Sequence, residues 1–529
     1  MNATLPPPLQ GLLSPRAYAH PVTRIEVVET HVSWVLMTGE LAYKLKKPVR
    51  FPFLDFSTPE LRARFCDEEL RLNRRFAPGL YISVVPVTRT ADGEVRMGGE
   101  GERIDSAVCM RQFDSSQELD RLLAAGSIEP AELREFGAEL ADIHAKLPVA
   151  KPDDGFGTPR RIRDTILANL EECLDACRDT KAAARLFELR APLTEALEKR
   201  AALMQERLVA GRVRECHGDL HTRNVVRLEG RLVAFDCLEF DPALRWIDVA
   251  DELSFLFSDL LAESHPGHAH ALLDGYLERS GDHQACLLLA PYGAHRALVR
   301  AKVSALSARG TEDGTKRSEL LTRVEAYVRC ARELLAPARP MLVLTSGLSG
   351  SGKTWLARRL APRLRAVHLR SDVERRRGRE AAAQNRGQSE PGAGRYTRAA
   401  TAQVYARLAE RARDVLGGGI STIVDATFLR REDRMLFREL AHALQVPLFV
   451  VRCTAPDRVL RERIESRMRE GNDPSEADVA VLDWQLGRQE PIEADEGLAV
   501  IEADTTSDTV LAHVLAALSR GAAADAAPG

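Results

Sequence analysis

Two styles of apolar patterning divide the chain. Across 22–54 hydrophobic and polar positions alternate, and Val32-Ser-Trp-Val-Leu-Met and Leu41-Ala-Tyr-Lys-Leu-Lys flank Thr38-Gly39-Glu40. That arrangement predicts a hairpin with glycine at its turn. Over 59–76 the period lengthens to that of a helix, with Pro59 near its start. Extended segments at 81–87 and 107–113 complete a small α+β lobe. From about 116 to 335 the pattern is helical. A β-rich stretch at 212–240 interrupts it and contains Val225-Val-Arg-Leu-Glu-Gly-Arg-Leu-Val-Ala-Phe, a second hairpin signal. Two prolines in Leu335-Ala-Pro-Ala-Arg-Pro then stop the helix.

Beyond them, buried-strand runs at 341–345, 366–370, 421–425 and 447–453 alternate with helical stretches. Such alternation predicts a doubly wound parallel sheet. The Gly-, Gln- and Arg-rich stretch 377–396 reads as a surface loop, and 520–529 as a disordered tail. The expected organisation is thus a domain over 1–335 and a second over 340–519. The first has a small lobe at about 20–115 and a helical large lobe at about 116–335. The overall fold class is α+β followed by α/β.

Composition narrows the function. The 529 residues carry a formal charge of −3, which argues against general nucleic-acid or anionic-membrane binding. No apolar run approaches the ~18 residues of a membrane helix, and the Pro-rich start lacks a secretory h-region. Nine scattered cysteines without a Cys-x-x-Cys pair fit reduced thiols in a cytoplasmic protein. Of the 74 basic residues only ten are lysines. Where arginine is the default cation, each lysine is more informative than usual.

One of the ten lies in Gly347-Leu-Ser349-Gly350-Ser351-Gly352-Lys353-Thr354, which fits G-x-x-x-x-G-K-[ST] after a strand and before a helix. Glycines let backbone N–H groups wrap phosphates at the helix N-terminus. Lys353 would reach the β- and γ-phosphates of ATP, and Thr354 would ligate Mg²⁺. Chance gives about 0.004 such matches in a chain of this composition. Val367-His-Leu-Arg-Ser-Asp372-Val-Glu-Arg375 follows the second strand, and Ser421-Thr-Ile-Val-Asp425 is an apolar strand ending in a carboxylate suited to a contact near Mg²⁺. Arg463 and Arg467 share one helix face. This half resembles P-loop kinases of the zeta-toxin, gluconate-kinase and polynucleotide-kinase type. The resemblance implies that Asp372 accepts the proton of the acceptor hydroxyl, that Arg375 holds the substrate, and that Arg463 and Arg467 neutralise the transferred phosphoryl group. Helix capping for Asp372, a turn cap for Asp425 and a solvated basic face for the arginines stay open as plainer readings.

The first half holds a second constellation. Cys216-His217-Gly218-Asp219-Leu-His221-Thr-Arg-Asn224 is followed, twelve residues on, by Val233-Ala-Phe-Asp236, an apolar strand ending in Asp. Upstream, Lys44 and Lys46 share a strand face by its period of two, and Glu68 and Glu69 lie on the next helix. These motifs resemble the aminoglycoside phosphotransferase and choline-kinase-like branch of the protein-kinase fold. By that resemblance Asp219 accepts a hydroxyl proton, Asn224 and Asp236 hold Mg²⁺, and Lys44 paired with Glu69 meets the phosphates. Lys46 and Glu68 remain the alternatives. His217 would orient the loop, and Asp248 would brace it or cap a helix. Two departures stand out: no glycine-rich loop precedes Lys44, and Cys-Leu-Glu follows Asp236 where the kinase pattern has Phe-Gly.

The order of the two halves is that of bacterial bifunctional aminoglycoside phosphotransferase-like/P-loop ATP-binding proteins. It implies an ATP- and Mg²⁺-dependent kinase acting on hydroxyls of small molecules in both halves. The alternative is that only the P-loop half is a kinase, for a small molecule or a nucleic-acid 5′-hydroxyl, and the first half is a binding or regulatory module.

Overall fold

The computed structural model describes residues 5–51, 54–385, 398–470 and 478–525. It forms two compact units. The first comprises Met1–Glu132, Asp142–Ala168 and Ala201–Asp259; the second comprises Leu133–Ala141, Asn169–Arg200 and Leu260–Gly529. The division between units does not fall at the 335–340 prolines, because the helices after residue 260 cluster with the P-loop sheet.

The first unit is built on a six-stranded antiparallel sheet. Its order is Glu26–Glu29, Ser33–Met37, Leu41–Lys46, Glu102–Arg111, Tyr81–Arg89 and Val95–Met97. The expected hairpin pairs Val35 with Lys44 and Leu36 with Tyr43. Alternation puts Trp34, Leu36, Tyr43 and Leu45 into one core with Leu5, Leu9 and Leu12 from the N-terminal segment. The helix Pro59–Asn73 lies across the other face, where Cys66 joins Ala42 and Val108. Its N-cap is Thr58, whose hydroxyl accepts from Leu61 N–H at 3.3 Å. The second hairpin pairs Val225–Leu228 with Arg231–Ala234.

In the second unit a five-stranded sheet runs in the order Ala366–Arg370, Ser421–Asp425, Leu342–Ser346, Leu448–Thr454, Ala499–Asp504, with every pairing parallel. Helices cover it, and Val343, Leu356, Leu360, Phe449, Val514 and Leu518 fill one core. This order places the ends of Leu342–Ser346, Ala366–Arg370 and Ser421–Asp425 side by side at the carboxyl edge, where such sheets bind ligands.

Three readings from the pattern need correction. The fifth strand, Ala499–Asp504, was not foreseen, because its mostly exposed residues carry no buried-strand run. The stretch 377–396 is not loop throughout: the helix Ser371–Asn385 enters it, consistent with the strong helix-forming Glu-Ala-Ala-Ala-Gln at 380–384. The remainder, 386–396, lies outside the described residues. Likewise the last helix, Val510–Asp525, includes 520–525 of the expected disordered tail, and 526–529 lie outside the described residues.

Candidate functional site

In the first unit both strand lysines reach the same helix glutamate. Lys44 Nζ donates to Glu69 Oε1 at 2.8 Å and also contacts Asp236; Lys46 Nζ donates to Glu69 Oε2 at 2.7 Å and contacts Glu239. The two lysines differ in reach. Lys46 is 1% exposed and enclosed by its two carboxylates, whereas Lys44 is 13% exposed and meets Asp236. Glu68 turns instead to Arg71 and Arg245, both at 2.7 Å. Burial raises the Glu69 carboxyl, but the two ammonium groups outweigh it and hold it at about 2.

Asp236 has φ +64°, a left-handed conformation rare for a residue with a side chain. Strain of this kind persists only where the surroundings over-determine it. Here the Asp236 N–H donates to Tyr81 Oη at 3.1 Å, and the Cys237 N–H to Asn73 Oδ1 at 2.9 Å. Asn73 Nδ2 in turn donates to Glu69 O at 2.9 Å, which ties the turn to the Glu69 helix.

Asp219 lies on a loop tied to the strand before Asp236 by the bond from Phe235 N–H to Asn224 O at 2.9 Å. Asn224 Nδ2 donates to the Asp219 backbone carbonyl at 2.9 Å and to Oδ2 at 3.2 Å, and the Asp219 side chain is 39% exposed. His217 joins the Asp219 loop to the Asp236 strand. Its Nε2–H donates to Phe235 O at 2.8 Å, and Nδ1 accepts from Asp219 N–H at 3.3 Å. Acceptance at Nδ1 requires a neutral ring, and burial pushes His217 down to about 4.

Glu252 and Asp259, neither marked by a sequence motif, brace the loop from below. Glu252 accepts from His217 N–H at 2.6 Å and Gly218 N–H at 3.0 Å. Asp259 accepts from the Thr222 N–H at 2.9 Å and hydroxyl at 2.7 Å. Asp248 turns to other partners among the described residues. It caps the helix that follows through Ala250 N–H at 2.8 Å and pairs with buried Arg207 at 2.7 Å. His221 accepts from Arg223 N–H at 3.3 Å and stacks edge-on against Phe255.

In the second unit the loop 347–352 joins Leu342–Ser346 to the helix Lys353–Leu364. Its glycines are forced by close approach. A Cβ on Gly347 (φ +141°) would lie 2.4 Å from Cys453 O, and one on Gly350 (φ +82°) 2.5 Å from Leu460 O. Gly347→Ala is therefore expected to destabilise the unit by about 1–3 kcal/mol. It should also abolish any stabilisation by added ADP; denaturant midpoints with and without nucleotide check both.

Lys353 Nζ donates to Leu348 O at 2.8 Å, and burial pulls its ammonium below the ordinary value. Thr354 Oγ1 donates to Asp425 Oδ2 at 2.6 Å, Thr345 Oγ1 to Oδ1 at 3.1 Å, and His368 Nε2 lies 3.2 Å from Oδ2. Burial raises the Asp425 carboxyl, but these hydrogen bonds and the Lys353 ammonium outweigh it and hold it well below the ordinary range.

Lys353, Thr354 and Asp425 open on a cleft of about 270 Å³ that also takes in Ser349, Asp372, Arg375, Arg463, Arg467 and Trp484. Asp372 is the second residue of the helix Ser371–Asn385, inside its first turn and not its cap. Of the arginines on the helix Asp457–Glu470, Arg463 and Arg467 face the cleft. Arg463 is drawn to the loop by bonds to Thr505 Oγ1 at 2.8 Å and Gly350 O at 3.3 Å. Arg458 and Arg461 form exposed pairs with Glu462 and with Asp457 and Asp483. Gln485 accepts from Ser349 N–H at 2.8 Å, a tie that no spacing in the sequence signalled.

Known proteins are similar to parts or most of this chain. The profile of the phosphotransferase enzyme family matches residues 24–283, and one described as an AAA domain matches 342–492. The uncharacterized protein Rv2004c of Mycobacterium tuberculosis is 30% identical over 483 residues, 89% of this chain and 93% of that one. Among solved structures, a sugar kinase from Janibacter sp. has 23% identity and a TM-score of 0.27, covering 36% of this chain and 100% of its own. The Plasmodium vivax ethanolamine kinase has 11% identity and a TM-score of 0.35, covering 57% of this chain and 81% of its own. No described helix is long and apolar enough to cross a membrane. The likeness to Rv2004c runs through both halves, so the chain belongs to that protein's family; in this chain a phosphotransferase-family segment is followed by a P-loop domain.

Proposed function

We propose that each half transfers the γ-phosphoryl group of ATP to a hydroxyl of a small molecule. The observation that carries this reading is that each unit holds, separately, a lysine for phosphates, a carboxylate for the acceptor proton and hard oxygen donors for Mg²⁺. In the first unit these are Lys44, held by Glu69; Asp219; and Asn224 with Asp236. In the second they are Lys353, Asp372, and Thr354 with Asp425. Mg²⁺ would neutralise charge on the phosphates at either place. Asp219 and Asp372 would accept the hydroxyl proton, Arg375 would hold the second acceptor, and Arg463 and Arg467 would meet the charge developing on the phosphoryl group. Nine free, buried cysteines suit a cytoplasmic setting.

A panel of sugars, aminoglycosides, nucleosides and 5′-hydroxyl oligonucleotides, assayed for ATP consumption with the wild type, Asp219→Ala and Lys353→Ala, tests the reading. Two separable activities, each lost with one variant, are expected. One activity lost only with Lys353→Ala would leave the first half as a binding module. The turn Thr30–Val32, without a glycine, between the first two strands is what favours that second reading.

A further inference from the structure

The strand Ala366–Arg370 ends the five-stranded sheet, yet all five of its residues are buried. The open side of an edge strand presents unpaired N–H and C=O groups and must be covered. The helix Pro266–Ser280 lies against it within the second unit, although in sequence that helix falls inside the segment matched by the phosphotransferase family. Its Asp274, 6% exposed, accepts from the backbone N–H of His368 at 2.7 Å. The other Asp274 oxygen accepts from Arg134 Nε at 3.1 Å, and Arg134 Nη2 also bonds Glu278 at 2.7 Å.

Asp274 has little room to move. Its helix meets the one carrying Arg134 backbone to backbone. A Cβ on Gly275 would lie 1.9 Å from Arg134 O, and one on Gly137 2.2 Å from Leu272 O. Across the strand, the His368 ring reaches Asp425. The carboxylate only accepts, so Nε2 carries the proton and donates to Oδ2 at 3.2 Å. Nδ1 is buried with no hydrogen-bond partner among the described residues. Besides the parallel pairing with Ser421–Asp425, His368 is held by its backbone bond to Asp274 and its ring bond to Asp425. The same Asp425 oxygen accepts the Thr354 hydroxyl at 2.6 Å.

We propose that Asp274 and His368 are positioning residues of the P-loop site: Asp274 fixes the backbone of His368, and His368 aims the Asp425 carboxylate at Thr354. A helix that belongs in sequence to the first kinase-like segment is thus a working part of the second active site. The inference rests on the P-loop reading proposed above.

The test uses the full chain and the activity that Lys353→Ala removes. Three quantities are measured: kcat, the Mg²⁺ concentration for half-maximal rate, and the Mg²⁺-dependent part of the thermal stabilisation by ADP. Partners standing behind a metal-site carboxylate are commonly worth 10–100-fold. Asp274→Ala and His368→Ala are each expected to lower kcat by about tenfold and raise the Mg²⁺ requirement, with KM for ATP changed less than about twofold. The double variant should be no worse than His368→Ala alone, because the two act in series. Asp274→Asn keeps an acceptor for the His368 N–H and should restore most of kcat.

Additive losses overturn the proposal. So does a variant that melts earlier but keeps its kcat and Mg²⁺ response, as a simple edge cap would. Should Asp274→Ala fail to fold, His368→Gln, which keeps a donor, is compared with His368→Ala: recovery supports the proposal, and equal loss overturns it. If Lys353→Ala leaves both activity and ADP stabilisation intact, the P-loop assignment itself falls, a result distinct from all of these.

Discussion

Lys353→Ala is expected to reduce kcat/KM of the P-loop half by about 10²–10³, the range for removing one fixed donor to developing charge. The unit should stay folded, since the bond from Lys353 to Leu348 O is a single contact in a loop shaped mainly by its glycines. The loss should appear in kcat as well as in nucleotide affinity, because in the proposed role the ammonium would meet the β- and γ-phosphates and follow their charge into the transition state. Lys353→Arg should not rescue it. A planar guanidinium cannot take the place of a compact ammonium in a loop whose glycines leave no space for a Cβ. Steady-state kinetics, with ADP titrations for affinity, check both variants; a Lys353→Arg enzyme within twofold of wild type would contradict the geometry.

The second large effect belongs to the first unit. Asp219→Ala is expected to lower kcat of that half by about 10²–10⁴, the usual worth of a positioned general base. KM for ATP should change little, because the group proposed to meet the phosphates is Lys44, bound to Glu69 and Asp236. Asp219→Asn should behave like Asp219→Ala in kcat, since an amide cannot take the proton. If no acceptor in the panel distinguishes these variants from wild type, the first half binds and does not catalyse.

Much of this was legible beforehand, for a physical reason. Phosphate loops need particular residue types at fixed spacing, and strands and helices declare themselves by period. Lys353 and Thr354, the hairpin at Gly39 and four of the five parallel strands follow from such local rules. What escaped was long-range. Glu252 and Asp259 meet the Asp219 loop from 34 to 37 residues away, and Asn73 meets the Asp236 turn from 164 residues away. No spacing along the chain announces such partners; the fold alone brings them together. The choice between Lys44 and Lys46 was unreadable for a different reason, since both occupy one strand face and both end on Glu69. Their exposure and their different second partners, Asp236 and Glu239, separate them.

The covered edge of the P-loop sheet also bears on how the chain can be taken apart. A cut at the 335–340 prolines, natural from the sequence, would strip the helix Pro266–Ser280 from Ala366–Arg370. Ala366, Val367 and Leu369 would then flank a bare row of strand N–H and C=O groups, a template on which one fragment can add to the next. The second kinase domain, expressed from residue 340, should therefore self-associate, and the shortest soluble version of it must begin before residue 266.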